Sequence, residues 1–233
     1  DVTELRKADQ VRRDFVANVS HELRTPVAAT LGYLDLVLAD RDRLPPEVVP
    51  LLETADRNAR RLRDLFEDLL RLHRIEVRRR ELPLRSHRLH PILVEATGTA
   101  RDKATMRGQS FELDCPEDLM ARVNPEALSA MVGNLASNAS SYTLEGGHVR
   151  VVARPEGDRV RIDVIDDGIG IAERHHERVF ERFYRVDDAR SRKAGGTGLG
   201  LAIVKHYALA SRCQLSLVSQ EGKGSTFTLH LPT

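Results

Sequence analysis

Two long apolar stripes at helical spacing constrain this chain more than any other feature. Phe15, Val19, Leu23, Val27, Leu31, Leu34 and Leu38 follow three- and four-residue steps, the period that gathers side chains on one face of an α-helix. DRDRLPPE, residues 40–47, interrupts the run with charge and two prolines. Leu51, Leu52, Ala55, Ala59, Leu62, Leu65, Phe66, Leu69 and Leu72 then resume the same period. Two long helices joined by so short a turn are expected to lie antiparallel. Stripes this wide exceed what a lone pair can enclose. The expected structure is a long helical hairpin that dimerises into a four-helix bundle; the other available cover is the chain's own second half.

RIEVRRRELPLRSHRLHP, residues 74–91, loses the helical period, which places a linker at about 74–90 between a first domain over 1–80 and a second over 81–233. The second half mixes rhythms. PILVEATGTARDKATMRG, NPEALSAMVGNLASNASSYT and LGLAIVKHYALA read as helices, the middle one with Asn124 as N-cap and Pro125 in the first turn. SFELD and MARV read as short strands. HVRVVARPEGDRVRIDVID and QLSLVSQEGKGSTFTLHL read as hairpins turning at Gly157 and at residues 221–224. Strands interspersed with helices over this length predict an α/β sandwich, one sheet with helices on one face. A net charge of +1 gives no reason to expect nucleic acid as a partner. Residues 27–39, the longest apolar-leaning run, are too few and too broken by Tyr33 and Asp35 to span a bilayer. Cys115 and Cys213 lie far apart without ligand spacing and read as reduced thiols of a cytoplasmic protein.

His21 departs from the first stripe. At 100° per residue it points far from the stripe's centre and is expected to be exposed. A lone exposed histidine usually carries nothing, but Glu22 beside it accepts a hydrogen bond from one ring nitrogen and leaves the other with a lone pair. Thr25, one turn on, shares its face. Pro26 cannot donate to the carbonyl of Glu22, so the helix is expected to loosen just beyond the histidine. The bland reading is a kinked surface helix with incidental charges.

Three further elements gather in the second half. Val160, Ile162, Val164 and Asp166 share strand parity, so Asp166 leaves its strand on the side that buries valine and isoleucine. An unpaired carboxylate there is costly, and a ligand amino group such as that of adenine would satisfy it. DDGIG comes next, with Gly168 and Gly170 permitting a turn and close approach to a flat ligand. GGTGLGLAIVKH leads glycines straight into a helix whose first N–H groups can hold phosphate. Asn134 and Asn138, at i and i+4, would present amide oxygens suited to Mg²⁺. Each alone has an ordinary explanation as a turn, a cap or a polar helix shoulder. FERFYRVDDARSRKAGG, between the two glycine stretches, reads as a cationic lid in which Arg185 reaches the charge of a terminal phosphate.

Together these segments resemble the sensor histidine kinases of bacterial two-component systems, over almost the whole chain. FVANVSHELRTP is similar to their phosphoacceptor box, NLASNASSYT to the asparagine box, DDGIG to the first glycine box, FERFYRVDDARSR to the phenylalanine-containing lid and GGTGLGLAIVKH to the second glycine box. The opening residues through the GYL segment most resemble phosphate-responsive sensor kinases. There DVTE would be the tail of a PAS-type sensor in a parent anchored at the inner membrane.

The resemblance implies a dimerisation and phosphotransfer domain followed by a GHKL-type ATP-binding domain, acting with ATP, Mg²⁺ and a cognate response regulator. His21 becomes the phosphorylated residue, Glu22 its activator and Thr25 the group orienting water in regulator dephosphorylation. Asp166 would read adenine between Gly168 and Gly170, and Asn134 and Asn138 would hold Mg²⁺ and phosphates. Gly196, Gly198 and Gly200 would support the phosphate-facing lid and helix. Tyr142, Ile171, Phe183, Thr197 and Leu199 complete the implied nucleotide site.

Three positions depart from the family's pattern. Ser141 stands where a lysine or arginine is common, removing a phosphate contact that Arg185 or Lys193 would have to replace. Asn124 stands where an acidic residue is frequent, and Ser211-Arg212-Cys213 replaces a His-Gly-Gly turn and implies a different geometry there. The function implied is ATP-dependent autophosphorylation of His21 and transfer to a regulator aspartate. The alternatives are a phosphatase-dominant protein and a nucleotide-binding scaffold with weak autokinase activity because of Ser141.

Overall fold

The computed structural model describes residues 25–77, 82–186 and 196–232, and the chain separates into two compact units, the first ending its main run at Val77. In that unit, helix α1 covers residues 25–39, a 3₁₀ turn follows at Arg41–Arg43, and α2 runs Val49–Val77. Arg60 on α2 pairs with Asp35 of α1 as well as with Asp56 one turn back, and Arg41 lies 3.3 Å from Glu53. Partner 35 with 60 and 41 with 53 is the register of antiparallel helices, as the short connection requires. Val27 and Leu31 are buried, and Leu34, Leu38, Phe66 and Leu69 half-buried, so these members of the predicted stripes form the seam of the hairpin, whereas Leu51, Ala55 and Leu62 are exposed. His21 and Glu22, and any kink between them and Pro26, lie outside the described residues.

The second unit begins with β1 (Arg85–Arg88) and α3 (Leu89–Met106), continues through β2 (Ser110–Asp114), β3 (Met120–Val123) and α4 (Pro125–Tyr142), and adds the hairpin β4 (His148–Glu156) and β5 (Arg159–Asp166). It closes with α5 (Gly200–Ala210) and the hairpin β6 (Gln214–Gln220) and β7 (Gly224–Pro232). Five strands form one sheet in the order β2-β4-β5-β7-β6, antiparallel throughout except for the parallel pair β2–β4. Strict alternation decides which face is covered. Val149, Val151 and Ala153, then Val160, Ile162 and Val164, are buried against Leu128, Met131, Val132 and Leu135 of α4. Phe227, Leu229 and Leu231 of β7 continue the buried rows.

Two segments differ from the sequence expectation. Of the stretch expected to be a linker, residues 74–77 still belong to α2 and residues 85–88 pair with β3 as a separate two-stranded sheet. The pairing Arg85 to Val123 through Arg88 to Met120 is made by backbone, and β1 itself carries RSHR with only His87 half-buried, so no apolar alternation announced it. No helix among the described residues is long and apolar enough to cross a membrane, and both cysteines are free.

Candidate functional site

Helix α4 sets the geometry. Asn124 caps it by accepting a 3.0 Å bond from the Ala127 N–H, and Pro125 occupies the first turn. Leu128, Met131, Val132, Leu135 and Ala139 are buried, which leaves Asn134, Ser137, Asn138 and Ser141 as a half-buried polar stripe beside them. The Asn134 amide donates to the Ala130 carbonyl at 2.8 Å, so its Oδ1 faces away from its own helix. A Cβ placed on Gly200 would lie 2.8 Å from that oxygen. Glycine at 200 therefore lets the asparagine stripe abut the first turn of α5. That turn follows Leu199, which makes no side-chain cap, and a helix N-terminus is where backbone N–H groups can hold an anion.

The base end of the site is built by β5 and the glycine loop that leaves it. Asp166 is buried, in phase with Val160, Ile162 and Val164 as the strand parity required. Burial pushes its carboxyl up to about 6; the backbone N–H groups of Gly168, at 3.0 Å, and of Ser225 hold it back, while Asp167 adds to the rise. Ile169 N–H donates to the Tyr142 carbonyl at 3.2 Å, which ties the glycine loop to the end of α4. The loop is then clamped against the β6–β7 turn. Gly222 N–H donates to the Ile169 carbonyl at 2.8 Å, and Ile171 N–H donates to the Ser219 hydroxyl at 2.8 Å. Gly170 sits at φ 64°, where a Cβ would come within 1.9 Å of the Gln220 carbonyl oxygen, so only glycine fits. Asp167, beside the buried Asp166, turns outward; burial raises its carboxyl, but bonds accepted from the His148 backbone N–H and ring Nδ1, both at 2.7 Å, together outweigh it and hold the carboxyl below its ordinary value.

The segment expected to form a lid enters the site through Phe183. This residue adopts φ 62°, and its N–H donates to the Gly198 carbonyl at 2.9 Å, joining lid and second glycine box. The residue is 56% exposed. Upstream, Phe180 meets Phe227 edge to face at 6.3 Å, and the Tyr184 hydroxyl lies 2.6 Å from His175 with Arg178 over its ring. Arg185 is half-buried, and its Nη2 has no hydrogen-bond partner among the described residues.

The structure thus brings Asn134, Tyr142, Asp166, Gly168, Gly170, Ile171, Phe183, Gly198, Leu199 and Gly200 into one connected set on the α/β unit, with Asn138 on the same stripe. Gly196 and Thr197 group with the helical unit, and Thr25 is exposed on α1. His21, Glu22 and Lys193 lie outside the described residues. The turn at 211–213 keeps the geometry expected of a glycine: Arg212 stands at φ 53°, with Cys213 N–H bonded to the Ala208 carbonyl at 2.8 Å.

Sequence reasoning missed the residues that hold the far end of α4. Arg107 donates to the carbonyls of Ser140 and Ser141, and Gln109 to those of Ser140 and Thr143. Lys103 Nζ lies 2.6 Å from the Ser141 hydroxyl, which itself donates to the Ser137 carbonyl at 2.5 Å. Nothing in the motif spacing points to these groups, because they come from α3 and the turn after it.

Comparison with known proteins agrees with this arrangement. Residues 11–78 match the His Kinase A (phospho-acceptor) domain, and residues 123–233 match the family of histidine kinase-, DNA gyrase B- and HSP90-like ATPases. The chain is 41% identical over its full length to the sensor-like histidine kinase SenX3 of Mycolicibacterium smegmatis, covering 60% of that protein. It is 36% identical over 99% of its length to the phosphate regulon sensor protein PhoR of Pseudomonas aeruginosa, covering 52%. The chain therefore spans little more than half the length of these relatives. Among solved structures, full-length ShkA in complex with AMPPNP matches with a TM-score of 0.75 and 27% identity over 94% of this chain and 45% of that one.

Proposed function

The chain belongs to the sensor histidine kinases, with both domains of their catalytic core in the family's order, and from that premise we propose that it moves the γ-phosphoryl group of ATP to His21 and onward to an aspartate of a response regulator. The observation that carries the nucleotide half of this reading is Asp166. A carboxyl buried among valine and isoleucine, held by two backbone N–H groups and still raised to about 6, is a group awaiting a donor. The amino group of adenine is such a donor, and the glycine loop clamped against the β6–β7 turn follows directly after the carboxyl.

In this reading Gly198, Leu199 and the first turn of α5 receive the phosphates, and Arg185, whose Nη2 has no hydrogen-bond partner among the described residues, meets the charge at their end. Asn134 and Asn138 offer only neutral amide oxygens, and no cluster of acidic, histidine or cysteine ligands occurs among the described residues. That donor set suits Mg²⁺ held jointly with phosphates, which would supply charge neutralisation, and does not suit an all-protein metal cage. One ring nitrogen of His21 attacks the γ-phosphorus while the bond to the β-phosphate oxygen of the departing ADP breaks. Glu22, accepting from the other ring nitrogen, favours the tautomer whose attacking nitrogen is unprotonated. Thr25, exposed one turn on, orients water for dephosphorylation of the regulator. The labour divides near residue 80, with the first domain dimerising and carrying His21. In the full-length protein, a preceding PAS-type sensor and a membrane anchor would feed this core.

The test is labelling with γ-labelled ATP and Mg²⁺, alongside His21→Ala. Retained label that is acid-labile and lost in the variant is the expected result. Binding of ATP without any label would overturn the autokinase and leave the phosphatase-dominant or scaffold reading.

A further inference from the structure

We propose that Lys103, reaching across from α3, is the cation that contacts the phosphates of the bound nucleotide on the Ser141 side of the site. The inference rests on the proposed nucleotide site and adds a residue to it. Ser141 belongs to the same stripe of α4 as Asn134 and Asn138, seven and three residues on, which fall within a narrow arc at 100° per residue. The Asn134 end of that stripe faces the second glycine box, and the Tyr142 end abuts the first. Lys103 Nζ sits on this stripe at 2.6 Å from the Ser141 hydroxyl.

The electrostatics leave Lys103 unbalanced. Its side chain is half-buried, and no carboxylate lies within ion-pair distance of it among the described residues. Its charged neighbour is a second cation, Arg107, and burial together with that neighbour lowers its pKa. A desolvated ammonium facing another cation calls for an anion. Ser141 occupies one of its three donors, and two remain. A plainer role exists, in which cations settle the negative C-terminal end of α4. Arg107 already does this by bonding the carbonyls of Ser140 and Ser141 directly. Lys103 instead bonds a side chain on the stripe, which places its charge alongside the asparagines.

Calorimetric titration of the whole chain with ATP and with adenosine, each with Mg²⁺, separates the two roles. Lys103→Met, which keeps the aliphatic stem, is expected to weaken ATP at least about tenfold, the scale of one lost charge-assisted bond, and to leave adenosine within about twofold. Lys103→Arg should retain most of the ATP affinity. Lys103→Met combined with Ser141→Lys should recover it, because the charge returns to the same stripe from the other helix. Unchanged ATP affinity in Lys103→Met, or equal losses for ATP and adenosine, would overturn the proposal while the wild type's binding keeps the nucleotide reading intact. A wild-type chain that binds neither ligand overturns the nucleotide reading, and this proposal with it.

Discussion

Placing a carboxylate on the strand face that buries Val160, Ile162 and Val164 costs folding free energy, and the cost has a definite pH dependence. The folded pKa of Asp166 is about 6, above the ordinary 3.8. The folded chain therefore holds this proton more tightly than the unfolded chain. The resulting stabilisation is fully present below about 3.8 and is lost as pH rises through about 6, leaving an ionised group that costs about 3 kcal/mol at neutral pH. Asp166→Asn keeps an acceptor for the Gly168 N–H and removes the charge. In denaturant melts without nucleotide it should be more stable than wild type at pH 7.5 and no more stable at pH 4. An adenine amino group prefers the ionised form, so ATP affinity of the wild type should fall as pH drops below about 6. The variant should bind weakly and with a flat profile. A variant less stable than wild type at pH 7.5, with unchanged pH dependence, would show that the carboxylate is satisfied within the protein.

Among the elements, α4 and the two hairpins were legible because their signals are local. Asn124 and Pro125 announce a helix start, and alternation announces which strand face is buried. The elements that escaped are held by partners distant in sequence. Strand β1 has backbone pairing to β3 but no apolar pattern, and Lys103 meets Ser141 only because α3 packs on α4. The site was legible in the same measure: glycines, asparagines and Asp166 stand in motifs, whereas Lys103, Arg107, Gln109 and Ser219 act on them from elsewhere. The end of α5 shows both sides of this. Cys213 N–H bonds the Ala208 carbonyl and Arg212 N–H the Leu209 carbonyl, the closing pattern that usually carries glycine at the left-handed position. Arg212 bears it here at φ 53°. A left-handed conformation costs a non-glycine residue about 1 kcal/mol, so Arg212→Gly should stabilise the α/β unit by roughly that amount in urea unfolding. Loss of stability on this substitution would show that the contacts of the arginine side chain outweigh the strain.

At the scale of the whole molecule, one copy of the hairpin leaves part of its apolar surface uncovered. Leu51, Ala55 and Leu62 stand four and seven residues apart in one row of α2, and all three are exposed, Leu51 at 70%. On α1, Tyr33 and Val37 form a second exposed pair one turn apart. Rows of this kind at heptad-like spacing are what a second hairpin would cover in a four-helix bundle. In a symmetric dimer each substitution acts twice. Burying one leucine contributes about 1.5–3 kcal/mol, so placing glutamate at position 51 or 62 removes that contribution from both copies and adds two desolvated carboxylates. Light scattering on the wild-type chain should therefore give twice its 26.1 kDa mass at micromolar concentration. The double variant Leu51→Glu, Leu62→Glu should run as a folded monomer that still binds ATP, because the nucleotide residues belong to the other unit. A wild-type chain that stays monomeric at high micromolar concentration would mean that this row is not a subunit interface. A double variant that stays dimeric would place the subunit contact on another face of the hairpin.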